Sequence, residues 1–580
     1  MSLTSHQPGF HPVYIPAYPP YARSSLPATI TTTAAASTSV LSADQLSGLG
    51  SDRKDKDGRP LVRFSLQPAS EGPTQLRRQL KSRHIAMISL GGVIGTGIFL
   101  GTAQSLQKAG PLGLLLAFSL MGIWVWCMMI SLGELISHMP LAGGHISLAA
   151  RFVDPSFGLA TGYSYAANWL LVMPAELSAA ATLISFWSSA NPAGWIAIAY
   201  VLVVLINLGG TRVYGELEFW FCAIKIIAML SLLVLGMIIS AGGIPNTEPI
   251  GFNYWKDPGA LSQFLAIEGS LGRFAGFWAA MLQAAYSYVG TEIVSLAAGE
   301  ARNPSYSIPR AIRRVIYRIL TFYVLGCLVI GLLVSKDDPA LLRNDGTAMS
   351  SPFVIAIERA GIKVLPSVVN AAFLISATSA ASSGLYTASR SLYGLAITDQ
   401  APAVLKRLNR YGLPYVAVLV GAAFGLLSFM AAGSHASAQV FTWLANFCSV
   451  GGLLSWTSIC ITYLRFYYGA RAQDIDRATF PYTAPFQPYA AIFALCGFSL
   501  VLFTNGFYLF IGGQWDTADF LTRYLMLILF PIVYIAAKFW QRCSWPALLE
   551  LDYFSGSRDN DESIEPKPKN TFQRIWHTVV

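Results

Sequence analysis

The chain is predicted to be an all-α polytopic membrane protein of twelve transmembrane helices, and three observations carry that prediction. Apolar stretches of about 20 residues, the length that crosses a hydrocarbon core, recur twelve times along the sequence. Only 12% of the 580 residues are charged and 54% are hydrophobic, whereas soluble domains carry about 25% charged residues; the mean hydropathy is +0.50. Two of the stretches, about half a bundle apart, are interrupted at their centres by small residues, as in helices that line a cavity at membrane depth.

The elements follow in order. Residues 1–75 are rich in Pro, Ser, Thr and Ala and carry the mixed-charge run SDRKDKDGR at 51–59. They are expected to form a disordered cytoplasmic tail, because nothing in them can bury a core. They hold no apolar signal-peptide core, so the first span is the expected targeting signal. The twelve-span domain is set at 76–545. Its spans are placed near 85–107, 112–137, 158–187, 194–209, 217–240, 275–299, 314–335, 364–390, 414–432, 440–463, 486–511 and 521–540. Residues 546–580 are read as a second cytoplasmic tail.

Lys and Arg set the orientation. With a cytoplasmic N-terminus, the inner loops hold clusters such as Arg77, Arg78, Lys81 and Arg83, then Arg302, Arg310, Arg313, Arg314 and Arg318. Arg390, Lys406, Arg407 and Arg410 follow, then Arg465, Arg471 and Arg477, and both termini lie inside. Spans one and six then run in opposite directions, the geometry of an inverted repeat of five spans each. The net charge of +9 is distributed between apolar spans rather than gathered on one face, which argues against a nucleic-acid partner. The seven cysteines sit in or beside spans without a CxxC pair and read as packing residues. No HExxH, catalytic triad order or phosphate-binding loop is present, so no enzyme, metal site or cofactor is expected.

The first interruption contains Gly91, Gly92, Gly95 and Gly97. Gly95, Thr96, Gly97 and Ile98 would present backbone N–H groups and a hydroxyl at the start of a second half-helix, a suitable seat for a carboxylate. The same glycines also fit small-xxx-small helix packing, through Gly91 with Gly95 and Gly97 with Gly101. GxGxxxG at this place has the wrong spacing for dinucleotide binding and no strand before it. The second interruption reads Tyr286-Ser287-Tyr288-Val289-Gly290-Thr291-Glu292. Freed carbonyls around Tyr286, Ser287, Tyr288 and Val289 would accept an ammonium group, with Tyr286 and Tyr288 as candidates for an aromatic lid. Glu292 just beyond is an intramembrane carboxyl and a functional candidate, its other role being a bond that ties the broken helix to a neighbour. Glu176, after Pro174 in the third span, is a further buried candidate for substrate binding, and Lys225, deep in the fifth, joins Glu292 as a candidate for proton coupling. Lys225 must neutralise, pair with an acid or face water, which suits proton coupling. Glu134 lies near a span end, within reach of interfacial water.

At these residues the chain resembles the fungal amino-acid permeases of the amino acid–polyamine–organocation superfamily, over about residues 76–555. The resemblance rests on RQLKSRHIAMISLGGVIGTGIFLGT, on GELISHMPLAGGHISLAARFVDPSFGLATGYSY, on AYSYVGTEIVSLAAGEARNPSYSIPRAIRRVIYRI and on SAASSGLYTASRSLYGLA, in that order. It implies ten core spans in two inverted five-span repeats of leucine-transporter type, broken at helices one and six, plus two further spans. It implies proton-coupled import of L-amino acids across the plasma membrane. The carboxylate would go to Gly95, Thr96 and Gly97 and the amine to the carbonyls around Tyr286 and Val289. Lys225 matches a fifth-span lysine linked to proton coupling, where sodium-coupled relatives hold an ion. The expected partners are an L-amino acid, protons and the lipid bilayer, with the cytoplasmic tails as candidate contacts of ubiquitin and trafficking machinery. His145 departs from the family pattern, standing where a small or apolar residue is expected. An amino-acid receptor of transporter fold is the alternative; such receptors carry much longer tails and larger outer loops, so carriage is favoured.

Overall fold

The computed structural model describes residues 80–555, except 92–93, 246–247, 302, 343–350 and 433–436. The expected N-terminal tail at 1–75 and residues 556–580 of the expected C-terminal tail therefore lie outside the described residues. Within them the chain is helical, and an isolated parallel bridge between Leu80 and Ala301 is the nearest approach to a sheet.

Nine helical stretches among the described residues are long and apolar enough to cross a membrane, and each falls on one of the twelve predicted stretches. The other three fall short for visible reasons. The first is broken into α1 (Ser82–Gly91) and α2 (Thr96–Phe99), the chain being non-helical at Ile94 and Gly95. The fourth, α6 (Pro192–Leu208), is a short apolar helix of 17 residues. The sixth is broken into α8 (Gly269–Tyr288) and α9 (Ile293–Ala297).

Local chemistry explains several boundaries. Helix α3 (Gly101–His138) runs from the first stretch into the second, but Gly110 within it has φ 73° and interrupts the helix just before Pro111. A left-handed conformation there favours glycine, and a Cβ would lie 2.7 Å from the Ala260 carbonyl. After the short helix α4 (His145–Phe152), Asp154 caps α5 (Pro155–Ile184), accepting the Phe157 N–H at 2.7 Å with Pro155 in the first turn. Beyond α7 (Thr211–Ser240), helix α10 (Pro304–Arg318) passes through a π-helical turn at Ile319–Val324 into α11 (Leu325–Leu333).

The remaining long helices are α12 (Leu365–Ile397), α13 (Tyr415–Gly425), α14 (Ser437–Ala472), α15 (Tyr489–Thr504) and α16 (Thr517–Gln541). Helix α5 packs along α12 and α14, where small residues such as Gly384 and Gly451 let backbones approach. Large apolar side chains point outward, among them Ile227, Phe503, Phe539 and Trp540. A soluble monomer would bury such a belt, whereas a lipid-facing surface keeps it.

Residues 546–555 pack against the helices. Tyr553 is fully buried beside Phe152 and Phe466, and His138 Nε2 bonds its carbonyl at 3.0 Å. Gln473 donates to the carbonyls of Leu548 and Leu551, each at 2.9 Å.

Candidate functional site

The two breaks meet at one carboxylate. Ending α1 at Gly91 and restarting at Thr96 turns the Thr96 hydroxyl into the bundle, where it donates to Glu176 Oε1 at 3.0 Å. From the other break, the Tyr286 hydroxyl donates to the same oxygen at 3.1 Å. Glu176 is buried, and its Oε2 has no hydrogen-bond partner among the described residues. Gly95 lies beside it, since a Cβ there would be 3.0 Å from Oε1.

Gly97 faces the second break. A Cβ on it would come within 2.9 Å of the Ser287 Cα and Oγ and 3.2 Å of the Tyr286 ring. Gly97 is thus a point of close approach between the two broken helices, pressed on Ser287. Ile98 is buried, and its carbonyl accepts the Thr102 hydroxyl at 3.0 Å.

The expected pair of tyrosines separates. Tyr286 reaches Glu176, while Tyr288 donates to the Phe118 carbonyl at 3.0 Å and stacks on Tyr323 with ring centroids 4.2 Å apart. The helix continues to Tyr288, so residues two apart differ by about 200° around its axis and cannot form one lid. The carbonyls of the break are also in use. Tyr286 accepts the Val289 N–H at 3.2 Å, Ser287 the Tyr323 hydroxyl at 3.0 Å, and Tyr288 the Thr291 hydroxyl at 2.6 Å. The Tyr286 and Ser287 carbonyls each retain a second lone pair, whereas Tyr288 also accepts the Thr291 N–H at 3.3 Å. The Val289 side chain packs against Gly452.

Glu292 faces away from this centre. It accepts from Trp456 Nε1 at 2.9 Å and from the Tyr165 hydroxyl at 3.2 Å, tying the break to α14 and α5. His145, the departure from the family pattern, sits edge-on to Tyr165 at 4.5 Å between ring centroids and shares a 2.8 Å hydrogen bond with Ser295.

Lys225 is fully buried, with its ammonium 3.8 Å from Glu218 Oε1. The acid stands two turns earlier on the same helix rather than on a neighbouring span, and Ser379 donates to its other oxygen at 2.7 Å. Sequence reasoning missed Glu218, although a seven-residue spacing on one helical face was available to find it.

Three further groups differ from expectation. Glu134 does not reach interfacial water: it is fully buried, held by Arg477 through two 2.7 Å bonds, by the Tyr463 hydroxyl at 2.8 Å and by the Ala484 N–H at 2.9 Å. Arg390, read as a loop cation, is buried and paired with Glu300 at 3.1 Å, and Tyr386 donates to the same carboxylate at 2.9 Å. Arg318, also read as a loop cation, is 1% exposed and lies between the two breaks. It donates to the Ser89 carbonyl of α1 and, at 3.2 Å, to the Thr291 hydroxyl.

A cavity of about 350 Å³ opens next to the breaks. Leu100, Gly101, Gln283, Phe441 and Ser449 form its inner part, and Lys108, Asp519 and Arg523 its charged wall. No group of three or more His, Cys, Asp or Glu that could hold a metal ion occurs among the described residues.

The profile of the amino acid permease family matches residues 84–550. A proline-specific permease of Emericella nidulans is 39% identical over 524 residues, covering 88% of this chain and 95% of its own length. A dicarboxylic amino acid permease of Saccharomyces cerevisiae is 40% identical, covering 82% of this chain and 79% of its own length. A lysine-specific permease of the same yeast is 38% identical, with coverages of 87% and 83%.

Proposed function

Because the chain belongs to the amino acid permease family, a family of membrane transporters and not of enzymes, we propose that it is a proton-coupled symporter importing L-amino acids across the plasma membrane by alternating access. The proposal includes twelve spans with both termini cytoplasmic, arranged as two inverted five-span repeats plus two helices. Helices at or within the twelve predicted stretches and the paired breaks support it. The similar relatives are named for proline, dicarboxylic amino acids and lysine, so the proposed substrate class is the L-amino acid backbone rather than one side chain. Those names lend no support to the receptor alternative.

One observation carries the mechanism: a single glutamate oxygen takes hydroxyl donors from both breaks, Thr96 at 3.0 Å and Tyr286 at 3.1 Å. An ionised Glu176 occupies donors that a substrate carboxylate needs and repels it at short range. Protonation of Glu176 removes the repulsion and releases the donors, so a proton and the carboxylate favour each other's binding, and this linkage is reciprocal. The carboxylate then takes the backbone N–H groups and hydroxyl at Gly95, Thr96 and Gly97. The ammonium group takes the remaining lone pairs of the carbonyls between Tyr286 and Val289. Tyr286, released from Glu176, covers the substrate, with Ile98 as an apolar wall. The buried Lys225–Glu218 pair is the second candidate element of the coupling.

The cavity supports entry of substrate from the side expected to be outer. The buried Glu300–Arg390 pair lies toward the side expected to be inner. The deciding experiment is uptake of a labelled L-amino acid panel by permease-deficient cells, with and without a protonophore. Accumulation abolished by the protonophore is expected. Absence of accumulation, or accumulation indifferent to the proton gradient, would refute coupled symport.

A further inference from the structure

Arg318 presents a physical problem that the proposed coupling does not use. A buried guanidinium carries a large desolvation cost unless negative charge compensates it. Yet Arg318 forms no ion pair among the described residues. Glu292, the acid on the nearer break, is turned toward Trp456 and Tyr165 instead. The acceptors actually used are the Ser89 carbonyl in the last turn of α1 and the Thr291 hydroxyl. That hydroxyl in turn donates to the carbonyl of Tyr288, the last residue of α8. Both contacts therefore lead to helix C-termini. Each such terminus carries the equivalent of about half a negative elementary charge, so the two together balance one cation. The C-terminal ends of half-helices are also where transporters of broken-helix design coordinate a sodium ion.

We propose that Arg318 is a resident cation of this transporter. Its guanidinium fills the place between the two half-helix C-termini that a bound monovalent ion would otherwise take, and it links the breaks so that they move together. The assignment rests on the transporter reading above. An arginine is not deprotonated in a protein, so this charge stays through the cycle. The charge that travels with substrate must then be carried elsewhere, as on Glu176. Arg318 is a positioning residue in this scheme, since it touches both broken helices and not the substrate. Its Nε has no hydrogen-bond partner among the described residues.

The test compares the wild type with Arg318→Ala in the full chain, expressed in permease-deficient cells. Wild-type uptake is expected to be unchanged when sodium is replaced by choline; sodium-dependent uptake would overturn the assignment. At equal surface level, Arg318→Ala should lose uptake by about a hundredfold, the scale of removing a charged partner from buried acceptors. Millimolar guanidinium should restore a substantial part, and equimolar tetramethylammonium should not. Wild-type uptake by the variant, or equal effects of both salts, would sink the idea. Should the variant be retained inside the cell, thermal melting of the purified protein decides the question. Millimolar guanidinium is expected to raise its melting temperature by several degrees more than that of the wild type, and equal shifts would overturn the proposal. If the wild type itself accumulates no amino acid, the transporter reading fails, while the melting comparison still judges Arg318.

Discussion

Gly97 and Ser287 touch where the two broken helices cross, and at that spot a single methyl group decides whether the site can form. A Cβ at Gly97 would sit 2.9 Å from the Ser287 Cα, which is backbone and cannot swing aside. Gly97→Ala is expected to cost about 1–3 kcal/mol of overpacking and to lower surface level and substrate affinity together. Normal affinity with normal surface level in radioligand binding would show that the contact has slack. Glu176→Gln should behave differently. Its amide oxygen still accepts from Thr96 and Tyr286, so folding survives, but the proton-binding carboxyl is gone. Exchange of substrate should persist while uphill, pH-stimulated uptake disappears. Retention of acid-stimulated accumulation in Glu176→Gln would move the proton site elsewhere. Lys225 and Glu218 form one unit 3.8 Å apart. Removing one partner of a buried pair costs about 3–5 kcal/mol, so Lys225→Met alone should be retained in the cell, whereas Lys225→Met with Glu218→Gln should recover surface level. Double-mutant recovery without proton-driven uptake is the pattern that separates coupling from scaffolding.

At the scale of elements, the second break is anchored to its neighbours beyond the Glu176 centre. Glu292 fastens it to α5 and α14 through Tyr165 and Trp456. Glu292→Gln can still accept one of these bonds but turns an amide N–H₂ toward the other donor, which should reduce transport at near-normal surface level. The segment 546–555 acts as a strap over the ends of α3 and α14. Tyr553 is fully buried and its carbonyl is bonded by His138. Emptying that pocket in Tyr553→Ala should cost about 3–5 kcal/mol locally and expose the C-terminal segment to limited proteolysis while the bundle stays intact. Unchanged cleavage kinetics would mean that the strap is held by its backbone carbonyls alone, through Gln473, Arg465, His138 and Arg151.

For the whole molecule, a cavity lies on one side of the breaks and a cluster of buried charged and aromatic side chains on the other. The cavity beside Gly101 and Gln283 is also lined by Phe441, whose ring meets Tyr286 with centroids 6.0 Å apart. On the opposite side Glu300, Arg390 and Tyr386 are all buried and bonded to one another. A cysteine replacing Gln439, which lines the cavity, should therefore react with a membrane-impermeant thiol reagent from outside. A transported amino acid should slow that reaction by shifting the population toward closed states. Labelling only after the membrane is permeabilised would reverse the orientation.

The amino-acid order alone determines the helical membrane class, the approximate position of the apolar stretches and the two interruptions, because span length and glycine content are local properties of the chain. It also singles out Glu176, Tyr286 and Gly97 as candidate site residues. Their meeting is a tertiary result: Thr96 and Tyr286 lie 80 and 110 residues from Glu176 along the chain, and only the rotation of each helix about its axis brings them to one oxygen. The same rotation turns Tyr288 away from Tyr286. Counting basic residues near span ends orients a membrane protein but treats every Arg as a loop marker. Arg318 and Arg390 instead lie inside, where helix C-termini and Glu300 offset their charge. Glu134 likewise sits near a span end, yet Arg477 and Tyr463 come from the opposite part of the chain to bury it. Burial of a charge depends on what surrounds it in three dimensions, and that partner set is decided by packing, not by the neighbouring letters of the sequence.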